Sequence, residues 1–467
     1  MVGNNRRSAI LCSMTAVLAV GVSACAPDTP YAGPSFAFLS SYKAAQAGAP
    51  VLLSNAEWWL RLKDPVLDRL VALALTDSLS LALARERVIE ARAEQRRVPG
   101  LAALNSSAGA QLEGTGSNSP DTTGTAQLGL NWLLDPYGAR REQLKAAGAR
   151  VEVADAEVDA AQLLVLFSIS NAYVELRYRQ RLQALRQQEL RGRQQTLALT
   201  QAMQVANSAT RLEITRSQAR VAELQSQLPD LAAAISAKKN EIAVLAGVVP
   251  GGLPPDLTAG LDKGSSQPRP DLSPDVGIPA DLLRNRPDIR IAERRYYAAL
   301  AEIGQARADL YPRLSLSGAI TLNALERGGS GTNYYFGPRI QFPSLPTGQA
   351  RAAVEARHSQ ARQAHSTWES TVLNAILEVE NALLDYKALS SSLQSAAKAA
   401  RLYRETLDLT REVFRRGDAT LGDLIDAEQA VASADQALAD TLYRRGQSFV
   451  ALNVRLGSGH AAARPGN

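Results

Sequence analysis

Thr196-Leu197-Ala198-Leu199-Thr200 returns 210 residues later as Thr406-Leu407-Asp408-Leu409-Thr410. The same offset carries Asn171-Ala172 onto Asn381-Ala382, Pro136 and Gly138 onto Pro346 and Gly348, and Thr210 onto Thr420. It also carries Val221-Ala222 onto Val431-Ala432 and Gly247 onto Gly457. No gap is needed over roughly 110 positions, and so long a period marks a duplicated unit rather than a solenoid of short repeats. Any fold open to this chain is two copies of one design, and its function must suit a quasi-symmetric object.

Each copy is built around a long helix. From Tyr137 to Ala206, and again from Thr347 to Arg416, there is no proline, and Ala, Leu, Arg, Gln and Glu dominate. Such strong helix formers, unbroken, would extend about 100 Å at 1.5 Å per residue, far beyond an ordinary globular helix. Shorter helical runs are expected at Arg211 to Ala246, Leu421 to Leu456, Pro65 to Ala103 and Asp288 to Leu310. Aromatic residues make up only 5 %, which agrees with long-helix composition.

Between the helices the period changes from helical to two. Leu314, Leu316, Ile320 and Leu322 alternate with Ser315, Ser317, Thr321 and Asn323 from Arg313 to Asn323. Tyr334, Phe336, Ile340 and Phe342 alternate with Tyr335, Gly337, Arg339 and Gln341 in the next segment. The first copy has weaker versions, Ser106 to Glu113 and Thr123 to Trp132, and each pair flanks a Gly/Ser/Asn-rich loop, so each reads as a hairpin. Four strands cannot close the smallest barrel, which needs about 8, and an open edge is not tolerated in lipid. Either several chains pool their strands, with apolar faces toward lipid and polar faces toward a water-filled lumen, or a soluble four-stranded sheet is covered by helices. Periodicity alone leaves both open.

The amino terminus carries an address. Arg6 and Arg7 precede an apolar stretch from Ser8 to Val22, too short to span a membrane by the rule of about 20 residues, and it reads as a secretory signal. It ends in Val22-Ser23-Ala24-Cys25, which resembles the bacterial lipobox; the plainer alternative is a small-residue cleavage site that happens to contain a thiol. Under the lipobox reading Cys25 is acylated and becomes residue one, and Ala26 directs it to the outer membrane. Cys12, the other cysteine, leaves with the signal, so no intramolecular disulfide remains. His358, His365 and His460 are too scattered for a metal site, and the first two are expected to be solvated helix residues. Without Arg6 and Arg7 the chain has 49 basic and 46 acidic side chains, a balance that gives no case for nucleic acid.

From Ile278-Pro-Ala-Asp-Leu-Leu-Arg-Asn-Arg-Pro-Asp288 to Ala301-Glu-Ile-Gly-Gln-Ala-Arg-Ala-Asp-Leu-Tyr-Pro312, the chain resembles the signature of TolC-type outer-membrane efflux channels, in particular their OprM-like or NodT-like lipoprotein branch. Arg286, Pro287, Asp288, Glu293 and Pro312 carry that signature. The duplicated plan, the lipobox and the Pro-rich crossover agree with it, so the resemblance extends over nearly the whole mature chain. It implies a fold that is mainly α with a small β part: a duplicated helix-hairpin-helix unit assembled as a homotrimer. A twelve-stranded outer-membrane β-barrel would continue into a twelve-helix periplasmic α-barrel. The expected division is a signal at 1–24, a lipidated extended segment at 25–61 and a first repeat at 62–247 with its hairpin at 106–132. A crossover at 248–279, a second repeat at 280–457 with its hairpin at 313–342, and a tail at 458–467 complete it.

The motif also reads physically. Pro287 forbids helix just before it and suits the first helical position, Asp288 favours the helix dipole, and Tyr311-Pro312 ends the helix. At an offset of 208, Leu104 replaces Pro312 and Pro99 intrudes, so the first-repeat helix should end a few residues sooner.

The resemblance places the turn at Gly417 to Ala427 at the periplasmic mouth of the tunnel, with Asp423 and Asp426 matching acids that ring the closed aperture. Three residues apart on a helix, they share a face, and a trimer would gather six carboxylates about one axis. Glu213 and Arg216 are the first-repeat equivalents and candidate partners. Gly422 stands where the branch often carries a plugging leucine, and Gln429 where a basic residue stands in relatives. The bland reading of these acids is a solvated helix start.

No phosphate loop, nucleophile elbow or metal-spaced histidine cluster supports catalysis, so neither enzyme activity nor a cofactor is expected. The leading reading is a passive exit channel of a tripartite efflux pump for small molecules, fed by a periplasmic adaptor and a proton-driven inner-membrane transporter. The alternatives are the outlet of a type I protein secretion system and a non-channel periplasmic coiled-coil scaffold lipoprotein.

Overall fold

In the computed structural model of the chain, residues 33–38, 41–43, 57–100, 104–115, 121–206, 209–264, 266–270, 280, 285–325, 329–343 and 346–460 are described. The signal, Cys25 and residues 265 and 271–279 of the expected crossover fall outside them. After a short 3-10 helix at Trp58–Leu62 the order is α1 (Pro65–Asp77), α2 (Leu79–Arg97), β1 (Leu104–Thr115), β2 (Asp121–Leu134), α3 (Ala139–Val205) and α4 (Arg211–Leu245). There follow α5 (Pro255–Asp262), α6 (Pro287–Ala308), β3 (Arg313–Leu325), β4 (Ser330–Gln341), α7 (Gly348–Arg416) and α8 (Leu421–Arg455). The two long helices, α3 with 67 residues and α7 with 69, run unbroken as their proline-free sequences predict. No helix among the described residues is long and apolar enough to cross a membrane.

The duplication is visible at the level of caps. Thr210 and Thr420 both adopt extended backbone, and each closes a capping box, with Glu213 and Asp423 respectively. At the other end of the same helices, Gly247 and Gly457 take φ of 78° and 75°. There Val248 N–H donates to Ala243 O and Ser458 N–H to Asn453 O, the hydrogen bonds of a Schellman stop. Both glycines also press against backbone: a Cβ would lie 2.2 Å from Asp77 O at Gly247 and 2.3 Å from Asn285 O at Gly457. Only glycine meets both demands.

These contacts explain one correction. The run expected from Pro65 to Ala103 is two helices, broken at Ser78, whose backbone is extended with ψ 124°. The break falls next to the Asp77 carbonyl that Gly247 packs against, just as α6 begins beside Asn285 and Gly457. Shifted by 208, Leu79 falls on Pro287, so α2 and α6 are the equivalent helices. The helix α2 ends at Arg97, before Pro99, whereas α6 runs on to Ala308, the equivalent of Gly100; the earlier stop expected in the first repeat is present.

The chain forms two compact units. The first comprises 87–155 and 291–370, with the described residues up to Phe36. Its four strands form one antiparallel sheet in the order β1-β2-β3-β4. Its helical core is built of alanines such as Ala146, Ala149, Ala298, Ala301 and Ala361, with Trp368 as the large exception. Small side chains let helix axes approach closely. Gly304 marks one such approach, since a Cβ there would meet Glu142 Cγ at 2.6 Å.

The second unit comprises 37–86, 156–290 and 371–467. Its core holds the large residues the first lacks: Trp58 packs edge-on against Phe449, with ring centroids 6.2 Å apart, amid Leu67, Leu70, Leu166 and Ile169. Arg177 is fully buried there. Its guanidinium donates to Tyr173 Oη at 2.9 Å, Gln180 Oε1 at 2.9 Å and Gly260 O at 3.0 Å. Tyr173 Oη in turn donates to Asp64 at 2.6 Å, so the buried charge reaches a carboxylate through one hydroxyl.

Candidate functional site

The sheet is the first functional surface. Register puts Trp132 opposite Leu316, Leu128 opposite Ile320, and Ile320 opposite Tyr334, so apolar side chains form rows across one face. That face is open: Leu128, Ile320 and Leu322 are about half exposed, and Tyr334 and Phe336 are 82 % and 75 % exposed. Gly318 makes room for Phe336, whose Cδ2 would lie 2.9 Å from a Cβ at that position. The opposite face is polar and concave, with Ser315, Ser317 and Ala319 buried along β3. The expected division of faces is therefore present, and among the described residues no helix packs over the apolar one. Strands of 12 to 14 residues exceed the 9–11 or so that a tilted strand needs to cross a bilayer.

The second surface is the turn between α7 and α8. The first of these helices stops at Gly417, φ 85°, where Asp418 N–H donates to Val413 O. Thr420 then caps α8: its N–H and Oγ–H both donate to Asp423 Oδ2, at 2.8 and 2.7 Å, and Asp423 N–H donates to Thr420 Oγ1 at 3.2 Å. The Thr420 hydroxyl and backbone N–H together hold the Asp423 carboxyl below the ordinary aspartate range. In the first repeat the Thr210 backbone N–H, then its hydroxyl, lower Glu213 in the same way, and the nearby Arg216 charge adds to the effect. Asp423 and Glu213 are thus capping carboxylates. Asp426, one turn on, is exposed and has no partner among the described residues. No hydrogen bond or ion pair joins Glu213 or Arg216 to Asp423 or Asp426 among the described residues, so the expected partnership is not made within one chain.

Behind the turn, Leu407, Phe414 and Leu424 form an apolar cluster with Met203 of α3 packed against it. Next to it is a polar group that sequence reasoning missed. Arg193 and Glu428, 4 % and 8 % exposed, are 3.1 Å apart. Thr196 Oγ1 donates to Glu428 Oε1 at 2.9 Å, Arg193 Nη2 donates to Gln429 Oε1 at 3.0 Å, and Arg411 approaches Glu428 at 3.7 Å. Farther along, Asp435 is paired with Arg404. Gln429, singled out as a lost basic position, is thus a hydrogen-bond acceptor for Arg193. The signal for this cluster was present: Leu424, Glu428, Val431 and Asp435 follow the 4-3-4 spacing of one helix face, so two acids occupy core-facing positions. The pair also breaks the duplication, because the positions equivalent to Arg193 and Glu428 are Tyr403 and Gln218.

The signature residues form a third constellation. Arg286 lies beside Pro287, the first residue of α6. Its Nε and Nη2 donate to the two oxygens of Asp288 at 3.0 and 2.7 Å, and its Nη1 donates to Glu378 at 2.9 Å and to the Arg455 carbonyl at 2.9 Å. Burial opposes the charge, but Asp288 and Glu378 outweigh it and raise the Arg286 pKa. One side chain thereby ties α6, α7 and the end of α8 together. Glu293 lies 3.3 Å from Arg294. Pro312 separates α6 from β3, next to Tyr311, whose ring stacks on Tyr137 at 4.6 Å.

His358 and His365, expected as solvated helix residues, are only partly exposed and have partners. His358 Nε2 lies 3.0 Å from Arg307 Nη2, His365 packs edge-on against Tyr296, and buried His460 pairs with Asn285 O at 2.7 Å. No group of three or more metal-ligating side chains occurs among the described residues.

The profile of the family described as "Outer membrane efflux protein" matches residues 70–248 and 278–458, one match on each copy of the duplicated unit. Nodulation protein T of Rhizobium leguminosarum bv. trifolii is 32 % identical over 450 residues, covering 94 % of this chain and 95 % of that protein. The pyoverdine export outer membrane protein OpmQ of Pseudomonas aeruginosa is 25 % identical over 91 % of this chain and 92 % of its own. The solved structure of the outer-membrane channel OprN superposes with a TM-score of 0.83 at 29 % identity, covering 93 % of this chain and 99 % of that one. With a doubled helix-hairpin-helix plan, an open sheet with one apolar face and family matches on both halves, this chain belongs to the outer membrane efflux protein family, the TolC-type channels that cross the outer membrane and extend into the periplasm.

Proposed function

We propose that three copies of this chain pool their hairpins into one twelve-stranded outer-membrane barrel and their long helices into a twelve-helix tunnel. The assembly is the passive exit duct of a tripartite efflux pump. It receives small molecules from a proton-driven inner-membrane transporter through a periplasmic adaptor. The observation that carries this reading is the sheet, with a bare apolar face, a concave polar face and free edges at β1 and β4. Unpaired strand edges cannot remain open in lipid, and joining β4 of one copy to β1 of the next removes them all. Acylated Cys25 adds a lipid anchor.

The aperture reading now rests on Asp426. Because Asp423 is engaged by Thr420, its loss would fray α8 as well as remove charge, whereas Asp426 has no such duty. Three unpaired carboxylates around one axis attract cations and repel one another. Gly422 leaves the mouth without an apolar plug, and a Cβ there would meet only Thr420 Oγ1, at 3.4 Å. In planar bilayers, Asp426→Ala is expected to raise conductance and weaken both cation preference and divalent-cation block, and Gly422→Leu to lower conductance. Wild-type conductance, selectivity and block in both variants, each assembled normally, would place the constriction elsewhere.

A further inference from the structure

The concave face of the sheet carries chemistry used by neither the mouth nor the lipid-facing surface. Gly129, Ser315 and Ser317 form a floor of small residues. Both serines are more than nine-tenths buried, and a Cβ on Gly129 would meet Ser107 Oγ at 2.6 Å. Gln127, Tyr335 and Arg339 stand around this floor, leaving a groove of about 330 Å³, within the size range of small-molecule sites. Tyr335 and Arg339 lie on the same side of β4 with Gly337 between them, and a Cβ on Gly337 would touch nothing. Aromatic ring and guanidinium therefore flank an open gap about 13 Å long along the strand.

The charge of the groove is one-sided. Its lining includes two arginines and no carboxylate. Arg313 is held by Asp309 at 2.8 Å, while Arg339 has no hydrogen bond or ion pair among the described residues. Glu113, the carboxylate on the same face of β1, lies toward the β1–β2 turn and does not line the groove. A guanidinium offers five donors in a planar fork that matches a carboxylate, and a neighbouring aromatic ring takes flat apolar surface.

We propose that this groove is a station for organic anions that carry a carboxylate beside a flat ring, with Arg339 holding the carboxylate, Tyr335 the ring and the Gln127 amide a further donor. The proposal rests on the reading that the polar face lines the lumen, in which case each trimer offers three such stations. It makes Arg339 a specificity residue of the duct.

The test uses the purified full-length channel in planar bilayers, with 2-naphthoate as the anionic probe and 2-naphthylmethylammonium as its cationic counterpart. In the wild type, 2-naphthoate should reduce single-channel current at concentrations where the cation does not. Arg339→Gln should raise the half-blocking concentration about tenfold, the effect of losing a charge-assisted hydrogen bond, and should move the reversal potential in a KCl gradient toward cations. Arg339→Lys should retain the ion preference but bind less tightly. Equal block of the wild type by both probes, or an unchanged half-blocking concentration in Arg339→Gln, would overturn the proposal. If Arg339→Gln does not assemble, the wild-type comparison and Arg339→Lys decide it. A wild-type protein that makes no pore would overturn the lumen reading itself, an outcome distinct from a pore indifferent to the anion.

Discussion

At the scale of single residues, charge is placed where it fixes structure. Arg193 and Glu428 are buried against each other, and both are almost wholly out of water. Removing one member of such a pair strands the other, a loss of about 3 kcal/mol, at the low end of the usual range because Arg411 can move toward Glu428. Arg193→Ala should therefore lower stability by about that much in denaturant titration, while Arg191→Ala, whose side chain is exposed, should change it by less than about 0.5 kcal/mol. The capping carboxylates give a pH dependence whose sign is set by their lowered pKa values. Their contribution is fully present above the ordinary values, 3.8 for Asp423 and 4.5 for Glu213, and is lost as pH falls through the depressed folded ones. Amide exchange at the starts of α4 and α8 should accelerate on acidification through that range, relative to mid-helix amides. In Asp423→Asn the change at α8 should vanish; an unaltered acid response in that variant would assign it to another group.

At the scale of elements, stops matter more than propensities. Strong helix formers make α3 and α7 long, but the lengths of α4 and α8 are set by Thr caps at one end and left-handed glycines at the other. Gly457 is under two constraints, its φ of 75° and the Asn285 carbonyl that a Cβ would overlap. Gly457→Ala should cost about 2 kcal/mol or more, since backbone strain of about 1 kcal/mol is compounded by displacement of the segment leading into Arg286. Gly422→Ala, free of both constraints, should be far milder. A comparison of thermal midpoints checks the pair, and equal midpoints would show that the Asn285 segment yields at no cost.

At the scale of the whole molecule, the proposed barrel sets the two sheet faces different demands. An arginine on the lipid-facing side costs about 2 to 4 kcal/mol near the bilayer midplane, and little where it faces water. Ile320→Arg should therefore reduce the amount of heat-modifiable trimer in outer membranes, while Gln127→Arg, on the polar face of the neighbouring strand, should assemble as the wild type does. Equal yields of the two would mean that the face bearing Ile320 does not meet lipid.

The duplication, the long helices, the hairpins and their two faces were legible in the sequence, because each is a periodic or local property: 3.6 or 2 residues, a proline, a glycine, a capping threonine. The sequence also carried the family, through Arg286-Pro287-Asp288 and the doubled plan. What it could not settle was which equivalent positions behave alike. The break at Ser78 falls on the weak helix formers Thr76-Asp77-Ser78 inside a longer helical run, and there the Asp77 carbonyl meets Gly247, 170 residues away in the chain. Asp423 and Asp426 look interchangeable as residue types, yet one is bound in a cap and the other has no partner among the described residues. The spacing marks Glu428 as core-facing, but which groups meet it is a tertiary fact: Arg193 and Thr196 arrive from α3 and make burial of its charge tolerable. Local pattern fixes where the backbone can be helix or strand; which polar groups lose their water, and whom they then need, depends on long-range packing that a linear chain does not display.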